Sequence, residues 1–128
     1  MTECIFCHDP ETEIIAENDL ARAFYDKFPV NPGHVLIVPK RHIASYFDAT
    51  FEELHSINLL IFSVKEILDL KFNPDGYNIG VNVGFAAGQT VFHLHYHIIP
   101  RFIGDVANPR GGVRKIKSSI IPYPAGEE

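Results

Sequence analysis

The sequence predicts an α+β domain built on an antiparallel sheet, and three observations carry that expectation. Strand-like apolar runs lie on both sides of one long segment with helical spacing, rather than alternating with several helices. That segment opens on a capping signal, Thr50 followed by Glu53, which marks a real helix start. The chain is 128 residues long, 46% hydrophobic and 21% charged. It is therefore one domain, able to bury about two thirds of its unfolded surface.

The elements follow in order. Glu13 to Asn18 and Leu20 to Asp26 read as two short strands joined by a turn at Asn18-Asp19. Phe28-Pro29-Val30-Asn31-Pro32-Gly33 is a rigid connection. His34 to Val38 is a nearly continuous apolar strand, stopped by Pro39. Behind Thr50, the residues Leu54, Ile57, Leu60, Ile61, Val64, Ile67 and Leu68 keep helical spacing to about Phe72. Their wide stripe suggests a helix buried on more than one side. Asn73-Pro74-Asp75-Gly76 is a turn, Tyr77 to Val83 a strand, and Gly84 to Gly88 a Gly/Ala loop. Val91 to Arg101 reads as the last strand, and no repeat or low-complexity segment is visible.

Charge and composition exclude several classes. The formal net charge of −5 argues against general nucleic-acid binding. No apolar run approaches a membrane span, and the N-terminus lacks a basic region followed by an apolar one. A cytoplasmic protein is the expectation. Arg101, Arg110, Arg114, Lys115 and Lys117 cluster in the last third with only Asp105 among them. They form either a field for a phosphorylated small molecule or a solvated tail.

The most informative stretch is His93-Leu94-His95-Tyr96-His97-Ile98-Ile99. On a strand, positions i, i+2 and i+4 share one face, so the three imidazoles form a row at roughly 6–7 Å intervals. Leu94, Tyr96 and Ile98 point the other way, into a core. The row spans roughly 13 Å, whereas zinc needs all its ligands within about 2 Å. At most one or two of these histidines can share a metal. Nucleophile, proton carrier and metal ligand are all open to imidazole near neutral pH.

Gly88-Gln89-Thr90-Val91-Phe92 leading into that stretch, with Pro100-Arg101 after it, resembles the signature of the histidine triad (HIT) superfamily, His-φ-His-φ-His-φ-φ with φ hydrophobic. Asp26 through His42, the long helix, and Asn82 to Gly84 agree with it. The resemblance implies a HIT-like fold: a five-stranded antiparallel sheet with one long and one short helix, pairing into a ten-stranded sheet in a homodimer. The helix residues Ile57, Leu60, Ile61 and Val64 would permit that pairing.

By the same resemblance, His95 is the nucleophile that attacks the α-phosphorus of a purine nucleotide, and water then releases the nucleoside monophosphate. His97 stabilises the phosphate as a hydrogen-bond donor. His34 orients the triad, and Thr90 relays a proton to the leaving group. Asp26 binds the ribose, Asn82 lines the phosphate site, and Gly88, Gln89 and Thr90 touch the phosphate or leaving group. Ile5, Phe6 or Phe24 would line a purine slot. Arg101, Arg110 or Arg114 would contact distal phosphates.

Cys4 and Cys7 form Cys-x-x-Cys, which on its own is compatible with a metal site, a free dithiol or a disulfide. The zinc-bearing branch of the HIT family and the related uridylyltransferases imply that Cys4, Cys7, His42 and His93 hold a structural zinc. His8 is expected to be exposed, with substitution as a ligand the alternative, and His55 to be a structural residue of the helix. Residues 1–12 would be a metal-knuckle segment and 102–128 a basic tail on one domain, 1–128. Details around Thr90, and the lack of Trp, resemble the diadenosine polyphosphate hydrolases more than the phosphoramidases. A nucleotidyltransferase or phosphorylase using the same intermediate, and a non-catalytic purine nucleotide-binding module, are the competing classes.

Overall fold

The computed structural model describes residues 4–7, 9, 12–117 and 122. Five strands form one antiparallel sheet: β1 (Ile14–Glu17), β2 (Ala21–Tyr25), β3 (Val35–Pro39), β4 (Gly76–Val81) and β5 (Tyr96–Arg101), in the order β1-β2-β3-β5-β4. Among the described residues a single α-helix, α1 (Phe51–Phe72), links β3 to β4. Short helical structure among these residues otherwise takes the form of three 3₁₀ turns, Tyr46–Asp48, Phe85–Ala87 and Gly112–Ile116. His8 and the tail segments 118–121 and 123–128 lie outside the described residues.

The helix begins where its capping signal places it. Thr50 Oγ1 accepts from the Glu53 amide (3.1 Å), and the Glu53 carboxylate accepts from the Thr50 amide (2.9 Å). Two orphan donors of the first turn are thereby satisfied. Glu53 is buried, and the Arg41 guanidinium pairs with both its oxygens (2.7 and 3.1 Å), which holds its carboxyl below the usual range. The helix ends at Asn73, whose left-handed backbone (φ 49°) returns its amide to the Asp69 carbonyl.

One face of α1 is buried, not two. Ile57, Leu60, Val64 and Leu68 pack on Ala21, Ala23, Val35, Ile37, Leu94 and Ile98. Phe51, Leu59, Phe62 and Leu70 on the opposite side are exposed. The residues expected to serve a dimer contact, Ile57, Leu60, Ile61 and Val64, are thus engaged with their own sheet, and Ile61 packs against the same cluster. Their spacing signalled the intramolecular face.

Because strand side chains alternate, Phe24, Leu36 and Val38 fall on the sheet face away from the helix. His97, opposite Leu36 in register, shares that face. This second face carries the site. Gly33, at the entry to β3, has φ +87°, and a Cβ there would meet the Phe72 ring at 2.8 Å. Only glycine lets the connection pass this close to the helix end.

The last strand is shorter than expected. It begins at Tyr96, so His93 and His95 precede it. The Leu94 amide donates to the Ile43 carbonyl (2.7 Å), which draws residues 91–95 away from the ladder. Leu94 still reaches the core, as the alternation expects.

Candidate active site and metal centre

Because the strand begins only at Tyr96, the three triad histidines find three different partners. Each is fixed by a backbone carbonyl or by another imidazole. His93 is fully buried, and its Nε2 donates to the Pro39 carbonyl (2.8 Å). A carbonyl can only accept, so the proton sits on Nε2 and the Nδ1 lone pair is bare. His95, 8% exposed, donates from Nδ1 to the carbonyl of His93 (2.8 Å). Its Nε2 is therefore the unprotonated nitrogen, the form required of a nucleophile.

His97 is set by a longer chain. The Val30 amide donates to His34 Nδ1 (3.0 Å), which leaves the proton of His34 on Nε2. That Nε2 donates to His97 Nδ1 (3.0 Å), so His97 presents Nε2–H. Burial pushes the His97 imidazole down to about 4, with His95 and His34 adding and Asp26 opposing. Burial also lowers His34 and His93. These three rings are neutral at pH 7. The His95 and His97 rings lie 5.1 Å apart, so a bare nitrogen stands beside an N–H donor. An electrophilic phosphorus could be attacked by one and its oxygens bonded by the other.

Two groups of side chains in this region have metal-ligand chemistry, and the tautomers separate them. Cys4 Sγ, Cys7 Sγ and His42 Nδ1 lie 3.4, 3.3 and 3.1 Å from His93 Nδ1, and Cys7 Sγ lies 3.1 Å from His42 Nδ1. A tetrahedron with bonds of about 2.0–2.3 Å has edges of about 3.3–3.8 Å, so the four donors nearly surround one ion. The bare nitrogen of His93 faces them. Burial and the neighbouring Cys4 raise the Cys7 thiol, so a cation is what would favour its thiolate here. The set fits a metal.

Asp26, His34 and His97 also converge. There the Val30 amide occupies His34 Nδ1 and keeps the proton on the Nε2 that would have to bind. This second group is a hydrogen-bond relay, with Asp26 Oδ2 3.5 Å from His34 Nε2.

Two cavities meet at His97. One, of about 300 Å³, is lined by Ile5, Phe6, Phe24, Asp26, Thr90 and His95. The other, of about 740 Å³, is an open groove with Asn82, Gly88, His34, Val113 and Ile116 on its walls. The structure thus brings Asp26, Thr90, His95 and His97 together, with Asn82 and Gly88 on the far side of His97. The three apolar residues expected in a purine slot share one cavity.

Two residues expected at the phosphates, Gln89 and Arg101, are already held by protein partners. Gln89 does not face either cavity. It is 2% exposed, donates to the carbonyls of Ala44 (2.8 Å) and Val91 (3.1 Å), and accepts from the Gly84 amide (2.9 Å). It braces the loop instead of touching phosphate, because a buried amide must satisfy its own polar atoms first. Arg101 is held by both Asp105 oxygens (2.8 and 2.7 Å) and by Asn78 (2.7 Å). Asp105 also accepts from Asn31 (2.8 Å), so this group ties the loop before β3 to the end of β5. What sequence reasoning missed is the set of backbone groups that fix the tautomers, Val30 N–H and the carbonyls of Pro39 and His93. No residue type signals them.

A family model described as HIT domain matches residues 9–104. The chain belongs to the HIT family. An uncharacterised 16.1 kDa HIT-like protein of Mycoplasma pneumoniae is 40% identical over 103 residues, 77% of this chain and 72% of the relative. An AP-4-A phosphorylase of Mycobacterium tuberculosis is 37% identical over 107 residues, 81% of this chain but 54% of the relative. The chain thus spans about half of that phosphorylase. Among solved structures, a zinc-bound histidine triad family protein of Mycobacterium smegmatis has a TM-score of 0.73 at 33% identity, covering 80% of this chain and 77% of its own. A diadenosine triphosphate hydrolase of Plasmodium falciparum, in complex with cyclomarin A, has a TM-score of 0.70 at 31% identity, covering 79% and 76%. In this HIT protein, no helix among the described residues is long and apolar enough to cross a membrane.

Proposed function

We propose that this HIT protein hydrolyses nucleotides at the α-phosphate, with dinucleoside polyphosphates as the substrate class. The observation that carries the reading is the bare Nε2 of His95 beside the Nε2–H of His97, where an apolar cavity meets an open groove. The purine and ribose occupy the smaller cavity, against Ile5, Phe6, Phe24 and Asp26. The leaving group lies in the groove along Asn82 and Gly88. His95 Nε2 attacks the α-phosphorus and the bond to the bridging oxygen breaks. Thr90 passes a proton to the departing oxygen while His97 holds a non-bridging one. Water then attacks phosphorus and gives up a proton that restores Thr90, the P–N bond breaks, and nucleoside monophosphate leaves with His95 restored.

Cys4, Cys7, His42 and His93 would hold zinc, which suits a closed Cys₂His₂ set and supplies a structural tie rather than chemistry. The relatives support both this and the substrate class, since one neighbour is named as zinc-bound and others are named for diadenosine polyphosphates. A second copy would dock on the free edge of β4 and on the exposed Phe51, Leu59 and Phe62.

The test is rapid quench of the protein with diadenosine tetraphosphate, followed by mass spectrometry of the peptide carrying His95. An adenylylated His95, with AMP as product, is expected. An adduct on another side chain, or turnover unchanged in His95→Ala, would refute it. ADP formed only with inorganic phosphate present would favour the phosphorylase reading, which the mycobacterial relative's name supports.

A further inference from the structure

Phe6 sits between the two cysteines of the metal cluster, at the tip of a turn closed by the Cys7 amide donating to the Cys4 carbonyl (3.1 Å). Its ring lies edge-on to His95 with centroids 4.9 Å apart and an interplanar angle of 71°. It is also 5.6 Å from Phe24 and 6.3 Å from His93. Phe6 covers Phe24, Leu36 and Val38 on the face of the sheet that lacks a helix, and with Ile5 it walls the 300 Å³ cavity. This turn belongs to no strand or helix. One backbone bond does not hold four residues in a fixed pose in water. Both ends of the turn carry thiols aimed at His93 and His42.

His93 connects to the nucleophile by a second route. Its Nδ1 faces the thiols, while its carbonyl accepts from His95 Nδ1. One residue therefore joins the metal donors to the nucleophile's tautomer, and one turn joins them to the nucleoside wall.

We propose that a metal ion on Cys4, Cys7, His42 and His93 controls nucleotide affinity by clamping Phe6 against His95, so that the nucleoside cavity is complete only in metal-loaded protein. Phe6 is then a metal-positioned residue. The inference rests on the nucleotide reading of the cavity, but its structural half does not. Without the ion, the turn keeps its own hydrogen bond, the packing of one ring and the weak thiol–imidazole hydrogen bonds of Cys4 and Cys7, which coordination would replace with stronger bonds.

AMP is the probe, since it is the product and is not consumed. Its Kd is measured by calorimetry on the full chain, zinc-loaded and chelator-stripped, with near-ultraviolet circular dichroism on both. Stripping should raise the Kd at least about tenfold and refilling should restore it. Phe6→Ala should raise the Kd of loaded protein by a similar factor, and stripping that variant should change it less than about twofold. Equal AMP affinity in loaded and stripped wild type overturns the clamp and leaves the nucleotide reading standing. A further full loss on stripping Phe6→Ala also overturns it. If loaded wild type binds no AMP, both readings fall.

Two measurements guard against a stripped chain that unfolds. In His42→Ala, which keeps three donors and removes the exposed one, the Kd should depend on zinc concentration. A zinc-independent Kd overturns the proposal. The His95 imidazole C–H resonances, recorded without nucleotide, should move on stripping toward their positions in Phe6→Ala, because the ring current of Phe6 is lost. Unmoved resonances overturn it as well.

Discussion

Acidification from pH 7 to pH 4.5 should destabilise this protein through its buried imidazoles. His97 is lowered from the ordinary 6.5 to about 4, chiefly by burial. In the unfolded chain the ring takes up a proton as pH falls through 6.5, while in the folded protein it stays neutral until about 4. The unfolded state therefore binds more protons across that window, and stability falls as pH falls. The full difference corresponds to about 3 kcal/mol, reached only below pH 4. The His97 ring is partly exposed, so solvent screening reduces this to about 1 kcal/mol at pH 4.5. His34 and His93 are lowered in the same direction and add to the loss. Depressed carboxyls such as those of Glu53 and Asp105 stay ionised in the folded protein over this window; the loss from Glu53 begins at its lower end, where the unfolded carboxyl protonates near 4.5, and that from Asp105 follows at lower pH. The assay is urea unfolding at matched ionic strength and metal content between pH 7 and 4.5. His97→Gln, which cannot titrate, should show a shallower pH slope. Stability flat over this window, or an identical slope in His97→Gln, would refute the reasoning.

Three further outcomes follow from named contacts. His34→Ala removes the donor that sets His97, so kcat should fall about tenfold with little change in KM, and ¹⁵N spectra should show mixed His97 tautomers in place of Nε2–H. Gln89→Ala strips three hydrogen bonds from the loop before the triad and should cost about 2–4 kcal/mol by denaturant unfolding, rather than acting as a substrate contact would. Glu53→Ala removes half of the capping box and the buried partner of Arg41, for a loss of about 1–3 kcal/mol.

Much of the fold is legible because it depends on near neighbours. Thr50 and Glu53 mark the helix start by bonds three residues apart, and the 3.6-residue spacing of Ile57, Leu60, Val64 and Leu68 marks its buried face. The β-branched run at Val35 to Val38 can only be a core strand, and it is buried throughout. The spacing of His93, His95 and His97 sufficed to mark the family. Leu54, Ile61 and Ile67, which are only half-buried, were not separable from the buried residues of the stripe in one dimension, because hydrophobicity alone does not say which apolar neighbour has a surface to meet.

The chain by itself thus determined the elements, their order, and which residue types could carry chemistry. Tertiary structure alone decided what the polar atoms of the site do. Donors 89 residues apart, Cys4 and His93, meet only because the N-terminal turn folds over the helix-free face. Which nitrogen of each histidine is bare depends on Pro39, His93 and Val30 main-chain groups that have no side-chain identity. Gln89 became a brace and Arg101 a tie for the same reason: a hydrogen bond is specified by what lies within about 3 Å in space, and sequence distance is silent about that.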